Sequence, residues 1–286
     1  SLCYRFISAL ALTYLVSLTA INRWTLKPMH SNNSIWDEIR QDTIRQASDE
    51  PILASFLHAT ILNHKSFADA LSYHLSSKLD SPAASPMLIR EVIQQAFSSD
   101  SNILISVEAD LAAIKERDSA CDDMATPFLF FKGFHALQIY RIAHWLWNNG
   151  RREMALFLQN KCSMIFAVDI HPAAQIGQGI MLDHATGIVI GETAVVENDV
   201  SLMQSVTLGG TGKDTGDRHP KIRAGVMIGP GSKILGNIEI GEGAKVCSGS
   251  VVVKPVKPHT TVAGVPATEV GQPDCQKPAF DMNQSI

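Results

Sequence analysis

Residues 170–206 read IHPAAQIGQGIMLDHATGIVIGETAVVENDVSLMQSV, and an aliphatic side chain recurs at every sixth position. The recurring positions are Ile170, Ile176, Leu182, Ile188, Ala194, Val200 and Val206, and the count resumes at Ile222, Ile228, Ile234, Ile240, Val246 and Val252. This period matches neither the 3.6-residue repeat of a helix nor the alternation of a strand. It is typical of a parallel β-helix, in which each hexad forms one wall, three walls close a coil, and stacked coils bury the aliphatic positions. Thirteen hexads predict about four coils.

The hexad count is interrupted once, between Val206 and Ile222. The spacing there is sixteen residues, one hexad plus ten, so a loop leaves the β-helix and returns in phase. The loop contains LGGTGK at 208–213 and DRHP at 217–220. Insertions in repeat architectures map to loops on one face, often the binding face. We therefore expect functional residues in this loop.

The chain before the hexads has the spacing of helices. Ser66 begins a capping-box pattern, and Ser85 precedes a proline that suits the first position of a helix. The helical period gives way to the hexad period at about Val168. We predict an α+β protein, with an all-α helical domain over 30–166, a parallel β-helix over 167–265, and a flexible tail over 266–286 that has too little apolar content to fold alone.

The first 29 residues do not fit this plan. Phe6 to Ile21 is sixteen residues without a charge, preceded by Arg5 and followed by Arg23. This is short for a membrane span of about 20 residues, and no convincing small-x-small cleavage site follows it. We expect residues 1–29 to be a leader-like or non-native extension outside the fold, with a membrane anchor or a secretory signal as the alternatives.

Composition excludes several functions. The formal net charge is −4 and no basic block is present, which disfavours binding to nucleic acid. The five cysteines are odd in number, are scattered and form no Cys-x-x-Cys motif, which disfavours a disulfide framework or a structural zinc site and favours a reducing cytosol. A β-helix metal hydratase would need ligands such as His171, His184 and His259, but these histidines lack the close spacing of a ligand pair.

Two sets of residues could carry chemistry. His184 follows Asp183 at a coil corner, and Asp169 lies fifteen residues earlier, within one coil of eighteen. A carboxylate at that place can orient an imidazole, which then acts as a general base near neutral pH. In the loop, Arg218 and His219 form a second set, because the guanidinium fork suits a carboxylate.

The chain resembles the serine O-acetyltransferases from about residue 35 to residue 286. The motifs that carry the resemblance are GFHALQ at 133–138, YRIAHWLW at 140–147, DIHPAA at 169–174, GIMLDHATG at 179–187, QSVTLGGTG at 204–212 and DRHPKI at 217–222. Hexapeptide repeats alone are shared with acyltransferases for sugars and antibiotics. The helical domain with GFHALQ and the DRHP loop are more specific, and only residues 1–28 depart from the family pattern.

The resemblance implies transfer of an acetyl group from acetyl-CoA to L-serine in a cytoplasmic first step of cysteine biosynthesis, catalysed without a metal. His184 would take the proton from the serine hydroxyl, which attacks the thioester directly, and Asp169 would orient His184. Asp118 and Asp183 would bind the amino end of the substrate, and Arg218 and His219 its carboxylate. The β-helix of the family is left-handed.

The resemblance further implies assembly and regulation. Coenzyme A would lie in a groove between the β-helices of a homotrimer, with Gly210, Ala224, Gly225 and Lys245 as its contacts, and trimers would pair into hexamers. L-Cysteine would compete at the serine site. Ile286 would dock into O-acetylserine sulfhydrylase as an apolar residue beside a carboxylate.

Two alternatives remain open from the sequence. A hexapeptide acyltransferase for another acceptor, such as a sugar, would keep His184 but would not need Asp118 and Arg218. A binding scaffold with a decayed site would act only through its tail, although the intact Asp169, His184, Arg218 and His219 argue against it.

Overall fold

The computed structural model describes residues 34–212 and 215–285, so the predictions for residues 1–29 and Ile286 concern positions outside the described residues. The helical region ends at Phe166 and strands begin at Val168, where the change of period predicted the transition. Its helices are α1 (Ile35–Asp49), α2 (Ala54–Leu57), α3 (Phe67–Lys78), α4 (Pro86–Ser99), α5 (Asn102–Arg117), α6 (Ala125–Phe130), α7 (Lys132–Asn148) and α8 (Arg152–Phe166), with a 3-10 turn at Pro51–Leu53 and a π-helical turn at His58–Leu62.

The predicted helix starts are confirmed in position. The Ser66 hydroxyl accepts the Asp69 backbone N–H at 3.2 Å, which satisfies a donor in the first turn of α3. Helix α4 begins at Pro86 after Ser85, but the Ser85 side chain makes no capping hydrogen bond. The proline alone therefore marks this start, because its fixed φ suits the first turn.

The strands form three parallel walls. They are β1 (Val168–Ile170), β2 (Gln175–Ile176), β3 (Met181–Leu182), β4 (Ile188–Ile190), β5 (Val195–Val196), β6 (Ser201–Leu202), β7 (Thr207–Gly209), β8 (Lys221–Ile222), β9 (Met227–Ile228), β10 (Lys233–Leu235), β11 (Glu239–Ile240), β12 (Lys245–Val246), β13 (Val251–Val252), β14 (Thr261–Gly264) and β15 (Ala267–Gly271). The first wall is β1-β4-β7-β10-β13, the second β2-β5-β8-β11, and the third β3-β6-β9-β12-β14 with β15 at its end. The predicted parallel β-helix is thus confirmed, with five levels in its first wall where about four coils were expected.

The corners between walls are called edges here: the first edge joins the first and second walls, the second edge the second and third, and the third edge the third and first. Gly177, Gly229 and Gly241 lie at corners, directly after Ile176, Ile228 and Ile240. A Cβ on Gly177 would lie 2.4 Å from Asn198 Oδ1, and one on Gly241 would lie 2.4 Å from the backbone nitrogen of Pro258. These glycines are needed because the next coil approaches closely.

The register of the strands corrects the hexad count. Leu182 pairs with Leu202 and Ile170 with Ile190, so eight residues, not six, separate Leu182 from the next stacking position at Ile190. Two residues are therefore inserted at the third edge, in the segment that contains His184. The later interruption lies between the stacking positions Leu208 and Ile222, because Leu208 pairs with Ile190 and Ile222 pairs with Val196. The loop therefore adds eight residues to a hexad, whereas the sequence predicted ten.

The tail is more ordered than its polar composition predicted. Strand β15 pairs antiparallel with β14, and a short helix, α9 (Pro278–Asp281), packs on the β-helix. Ala279 is fully buried, its N–H donates to the Gly225 carbonyl, and its own carbonyl accepts the Ser201 hydroxyl at 2.9 Å. These contacts bury apolar and backbone groups against the existing coil, so the tail need not fold alone.

A buried ion pair joins the helical region to the β-helix. Asp110 on α5 is fully buried and accepts three hydrogen bonds from Arg141 on α7, one from Nε at 2.9 Å and two from Nη2 at 2.7 and 2.9 Å. The same carboxylate accepts the Ile180 backbone N–H of the first coil at 2.9 Å, and Arg141 donates to the Gly177 carbonyl at 2.7 Å. The pair therefore fixes the position of the first coil relative to α5 and α7.

Two buried histidines predict acid sensitivity. The His74 and His135 rings pack edge to face with their centroids 5.0 Å apart. Their Nε2 atoms donate to the carbonyls of Leu129 and Phe128, respectively. Burial lowers the pKa of His74 to about 3 and the pKa of His135 well below its usual value. At pH values between the unfolded-state pKa near 6.5 and the lower folded-state pKa values, the unfolded chain binds more protons than the folded chain. The contribution of these histidines to stability is therefore fully present above pH 6.5 and is lost as the pH falls below it.

Urea unfolding between pH 8 and pH 5 should show this loss, at up to about 1.4 kcal/mol per pH unit for each histidine. Histidine signals in NMR spectra, assigned by loss in His74→Gln and His135→Gln, should not titrate near pH 6.5 in the folded protein. Ordinary titration of both rings would contradict the prediction.

Within the described ranges, no helix combines the length and apolar content that crossing a membrane requires.

Candidate active site

The two inserted residues form a strained turn at the third edge. His184 has φ of 53° and Ala185 has φ of 59°, both in the left-handed region that non-glycine residues avoid. Each such residue costs about 1–2 kcal/mol. The turn is held by backbone hydrogen bonds from Asp183 to Leu202, at 2.8 Å, and from Gly187 to Ala167, at 2.7 Å. Strain that the surroundings maintain is typical of functional sites.

This turn presents an exposed imidazole beside two carboxylates. The His184 side chain is 76% exposed, and its Nε2 lies 3.8 Å from Asp183 Oδ1. Burial raises the pKa of Asp183, the charge of His184 opposes that rise, and the nearby Asp118 carboxylate adds to it. Asp118 follows the last residue of α5, where its Oδ1 accepts the Ala120 N–H at 2.8 Å. The structure thus brings together three predicted site residues, Asp118, Asp183 and His184.

Asp169 has a different neighbour. It lies in the middle of β1, and its Oδ1 accepts a hydrogen bond from Gln159 of α8 at 2.7 Å. No hydrogen bond or ion pair joins it to His184 in the part of the chain that the structure describes. The first coil has twenty residues rather than eighteen. Asp169 therefore pairs with Val189 in β4, and His184 lies in the turn that precedes this strand.

A second cluster occupies the first edge, where the DRHP loop returns. Arg218 donates to Glu192 Oε2 at 2.7 Å and to the Gly216 carbonyl at 3.1 Å. Together with Thr193, Gly212 and Thr215, these residues line an open cavity of about 500 Å³. The guanidinium lowers the pKa of Glu192, so this carboxylate stays ionised beside the fork. Of the predicted pair, Arg218 therefore lines the cavity with its guanidinium already paired to a carboxylate, whereas His219 is not among the described residues that line it.

His219 is fixed in place by the preceding coil. Thr193 donates its backbone N–H to His219 Nδ1 at 3.2 Å, and the Thr193 hydroxyl accepts the backbone N–H groups of Arg218 and His219 at 3.0 and 3.1 Å. Nδ1 is therefore an acceptor, which leaves the proton on Nε2. Burial lowers the pKa of His219 and favours this neutral form. A Cβ on Gly191 would lie 2.0 Å from His219 Nε2, so only glycine leaves room for the ring.

The two clusters lie at opposite edges of the first wall. The His184 turn connects β3 to β4, whereas Arg218 and His219 precede β8, after the loop that leaves β7. Strands β4 and β7 of the first wall therefore separate them within one chain. The sequence identified both clusters but not this separation, and it missed Gly191, Glu192 and Thr193, whose spacing is that of an ordinary hexad corner.

The predicted coenzyme A contacts do not converge in one chain. Gly210 packs beside Arg218 at the first edge, where a Cβ would make ordinary contact with that side chain at 3.5 Å. Ala224 and Gly225 lie at the second edge, and Lys245 belongs to the third wall. The tail covers Gly225 and Lys245, since the Gly225 carbonyl accepts the Ala279 N–H and Lys245 Nζ donates to the Ser285 carbonyl.

Among the described residues, no group of three or more His, Cys, Asp or Glu side chains could hold a metal ion.

Two family models match the chain, one in the helical region and one in the β-helix. A model described as bacterial transferase hexapeptide, with six repeats, matches residues 219–254, and this together with the β-helix identifies a hexapeptide-repeat transferase. A model of the serine acetyltransferase N-terminal region matches residues 35–139. The serine acetyltransferase of Escherichia coli strain K12 is 61% identical over 250 residues, which cover 87% of this chain and 92% of that protein. The chain belongs to the serine acetyltransferase family.

Solved structures agree with this assignment. The serine acetyltransferase of Vibrio cholerae O1 superposes with a TM-score of 0.87 at 58% identity, covering 88% of this chain and 98% of that one. A serine acetyltransferase in complex with cysteine gives a TM-score of 0.86 at 56% identity, with coverages of 88% and 98%.

Proposed function

We propose that this acyltransferase moves the acetyl group of acetyl-CoA to the hydroxyl of L-serine, giving O-acetylserine and CoA, with His184 as the general base. His184 takes the hydroxyl proton, the serine oxygen attacks the thioester carbonyl, the carbon–sulfur bond breaks, and the imidazolium returns the proton to the departing thiolate. The observation that carries the proposal is the exposed His184 imidazole held beside Asp118 and Asp183. Similar proteins have been solved with serine and with coenzyme A.

Asp118 and Asp183 suit the amino end of serine. Their mutual repulsion contributes to the raised pKa of Asp183, and an ammonium group between them would relieve it. His184 adjoins the pair, so a substrate held by its amino group would have its hydroxyl within reach of the base. Proximity of this kind contributes several kcal/mol to lowering a barrier.

Asp169 is proposed to orient His184, although Asp183 is the nearer carboxylate. In the structure Gln159 donates to Asp169 Oδ1, and the second carboxylate oxygen can still accept a hydrogen bond from an imidazole. The variants Asp169→Asn and Asp183→Asn distinguish the two carboxylates. The carboxylate that acts on His184 is expected to be the one whose replacement by the amide changes the pH profile of kcat.

Arg218 and His219 are proposed to hold the substrate carboxylate. Because they lie across the first wall from His184, a complete site needs the third edge of one protomer beside the first edge of another. A homotrimer around an axis parallel to the β-helix would create three such sites, and trimers are proposed to pair into hexamers. Acetyl-CoA would lie along the same groove, and binding at Gly225 and Lys245 would require the tail to move away.

The acceptor is tested by measuring CoA release from acetyl-CoA with L-serine, against a panel of sugars and other hydroxyl compounds. Turnover that depends on L-serine is expected. Turnover with a sugar alone would overturn the serine proposal while keeping the acyltransferase class.

Arg218→Ala should weaken L-serine and L-cysteine together, because both present the same amino acid frame to the same site. Hydrogen bonds to charged groups contribute about 1.5–3 kcal/mol, so the KM for serine and the Ki for cysteine should each rise about 10–100-fold. Arg45→Ala is the matched control, since Arg45 pairs with Asp42 at 3.0 Å in α1, away from either cluster. Cysteine inhibition that survived the loss of serine binding would show separate sites.

The reaction is proposed to take place in the cytoplasm, where the free thiols of Cys121, Cys162, Cys247 and Cys275 stay reduced.

The tail is proposed to bind O-acetylserine sulfhydrylase through the apolar Ile286. Ile286→Asp should abolish co-elution with the sulfhydrylase and leave kcat unchanged. Val270→Asp, at an exposed residue of β15, controls for added charge. Unchanged co-elution of the Ile286 variant would refute the contact.

A further inference from the structure

The first turn of α7 lies directly against the turn that carries His184. A Cβ on Gly133 would lie 2.0 Å from the Leu182 carbonyl oxygen and 3.1 Å from the Ala185 Cβ. The nearer obstacle is backbone, which cannot rotate aside. Gly133 is itself buried, so no other side chain fits there without moving either α7 or the turn.

The neighbouring residue strengthens this contact. Lys132, the first residue of α7, reaches across and donates from Nζ to the hydroxyl of Thr186. Helix α7 thus contacts the turn on both sides of His184, at Leu182, Ala185 and Thr186. The imidazole itself is largely exposed and its Nε2 lies 3.8 Å from Asp183 Oδ1, so its location depends on the backbone that carries it.

We infer that Gly133 is a positioning residue for His184: its missing side chain lets α7 clamp the left-handed turn and fixes where the imidazole stands. Lys132 contributes to the same clamp. The inference rests on the proposed role of His184 as the general base, and it assigns a function to the GFHALQ motif beyond helix packing. Displacements of about 1 Å in a reacting group can cost on the order of 10²-fold in rate.

Gly133→Ala should therefore lower kcat on the order of 10²-fold, with the KM for acetyl-CoA changed less than about threefold. Gly271→Ala is the matched control, because it adds the same methyl group where nothing lies within 4 Å and the backbone is not left-handed. Circular dichroism and sedimentation should show that both variants keep the fold and assembly of the wild type.

A double-mutant cycle with His184→Ala distinguishes the proposed positioning role of Gly133 from a purely structural role. If Gly133 acts through His184, Gly133→Ala should lower the residual rate of His184→Ala by less than about twofold, because coupled residues are not additive. Equal falls in the two backgrounds would overturn the inference, as would a wild-type kcat in Gly133→Ala. Should Gly133→Ala fail to fold, Lys132→Met, which adds no volume at the contact, should show a smaller fall with the same non-additivity.

The cycle also distinguishes the two proposals. A wild-type rate in His184→Ala would overturn the general base, and with it the positioning role. A large loss in His184→Ala beside an unchanged Gly133→Ala would overturn the positioning role alone.

Discussion

Replacing His184 by alanine is expected to lower kcat with L-serine and acetyl-CoA by about 10²–10⁴-fold, the contribution that a positioned general base makes. The imidazole is the only proposed proton acceptor for the serine hydroxyl, and its side chain is exposed, so its removal leaves no cavity in the core. The KM for acetyl-CoA should change little, since His184 is proposed to act on the hydroxyl. Steady-state CoA release gives both constants.

The control for this variant is His58→Ala. His58 is an exposed histidine in the π-helical turn of the helical region, so its loss removes the same group away from either cluster. Full activity in His58→Ala beside a large loss in His184→Ala would locate the base. A His184→Ala enzyme that turns over L-serine at the wild-type rate would instead require another proton acceptor, with Asp183 the nearest candidate.

Replacing Arg141 by methionine is expected to lower the free energy of unfolding by about 3–5 kcal/mol, the usual effect of removing one partner from a buried ion pair. Asp110 would remain fully buried without its cation, bonded only to Gln138 and the Ile180 N–H. Burial raises the pKa of Asp110 and the Arg141 charge opposes that rise, so the lone carboxyl should take up a proton on folding. Urea unfolding measures the change.

Two further variants test the cause of this loss. Arg45→Met removes an exposed pair with Asp42 and should cost no more than about 1 kcal/mol, as surface pairs do. Adding Asp110→Leu to Arg141→Met should recover much of the stability, because the buried charge is then gone. If the double variant were as unstable as Arg141→Met, the lost contacts to Gly177 and the first coil would be the main contribution.

The expected loss in Arg141→Met also bears on catalysis. The Asp110–Arg141 pair fixes α5 and α7 to the first coil, and these helices carry Asp118 and Gly133 to the His184 turn. One buried network thus supports the cluster at the third edge from the side of the helical region. The first edge has a separate support, the Thr193 and Gly191 contacts of His219.

Sequence patterns identified most of the candidate site because its residues depart from the hexad composition. His184 and Arg218 are polar groups at corners, and the DRHP loop interrupts the count. The same patterns could not identify Gly133, Gly191 or Thr193. A glycine or threonine there is compatible with an ordinary helix or corner, and only the packed coordinates show what an added Cβ would meet.

The sequence by itself determined the architecture, because a six-residue aliphatic period can be buried only by stacking short parallel walls. It could not determine the phase of the second coil. Ile188 and Ile190 are both aliphatic and both buried, as are Val200 and Leu202, so either set satisfies the hydrophobic pattern. Only the hydrogen-bond register, which pairs Ile170 with Ile190, shows that two residues are inserted at His184. The tertiary structure therefore decided where His184, the proposed base, lies, because backbone pairing between coils selects one alignment among hydrophobically equivalent ones.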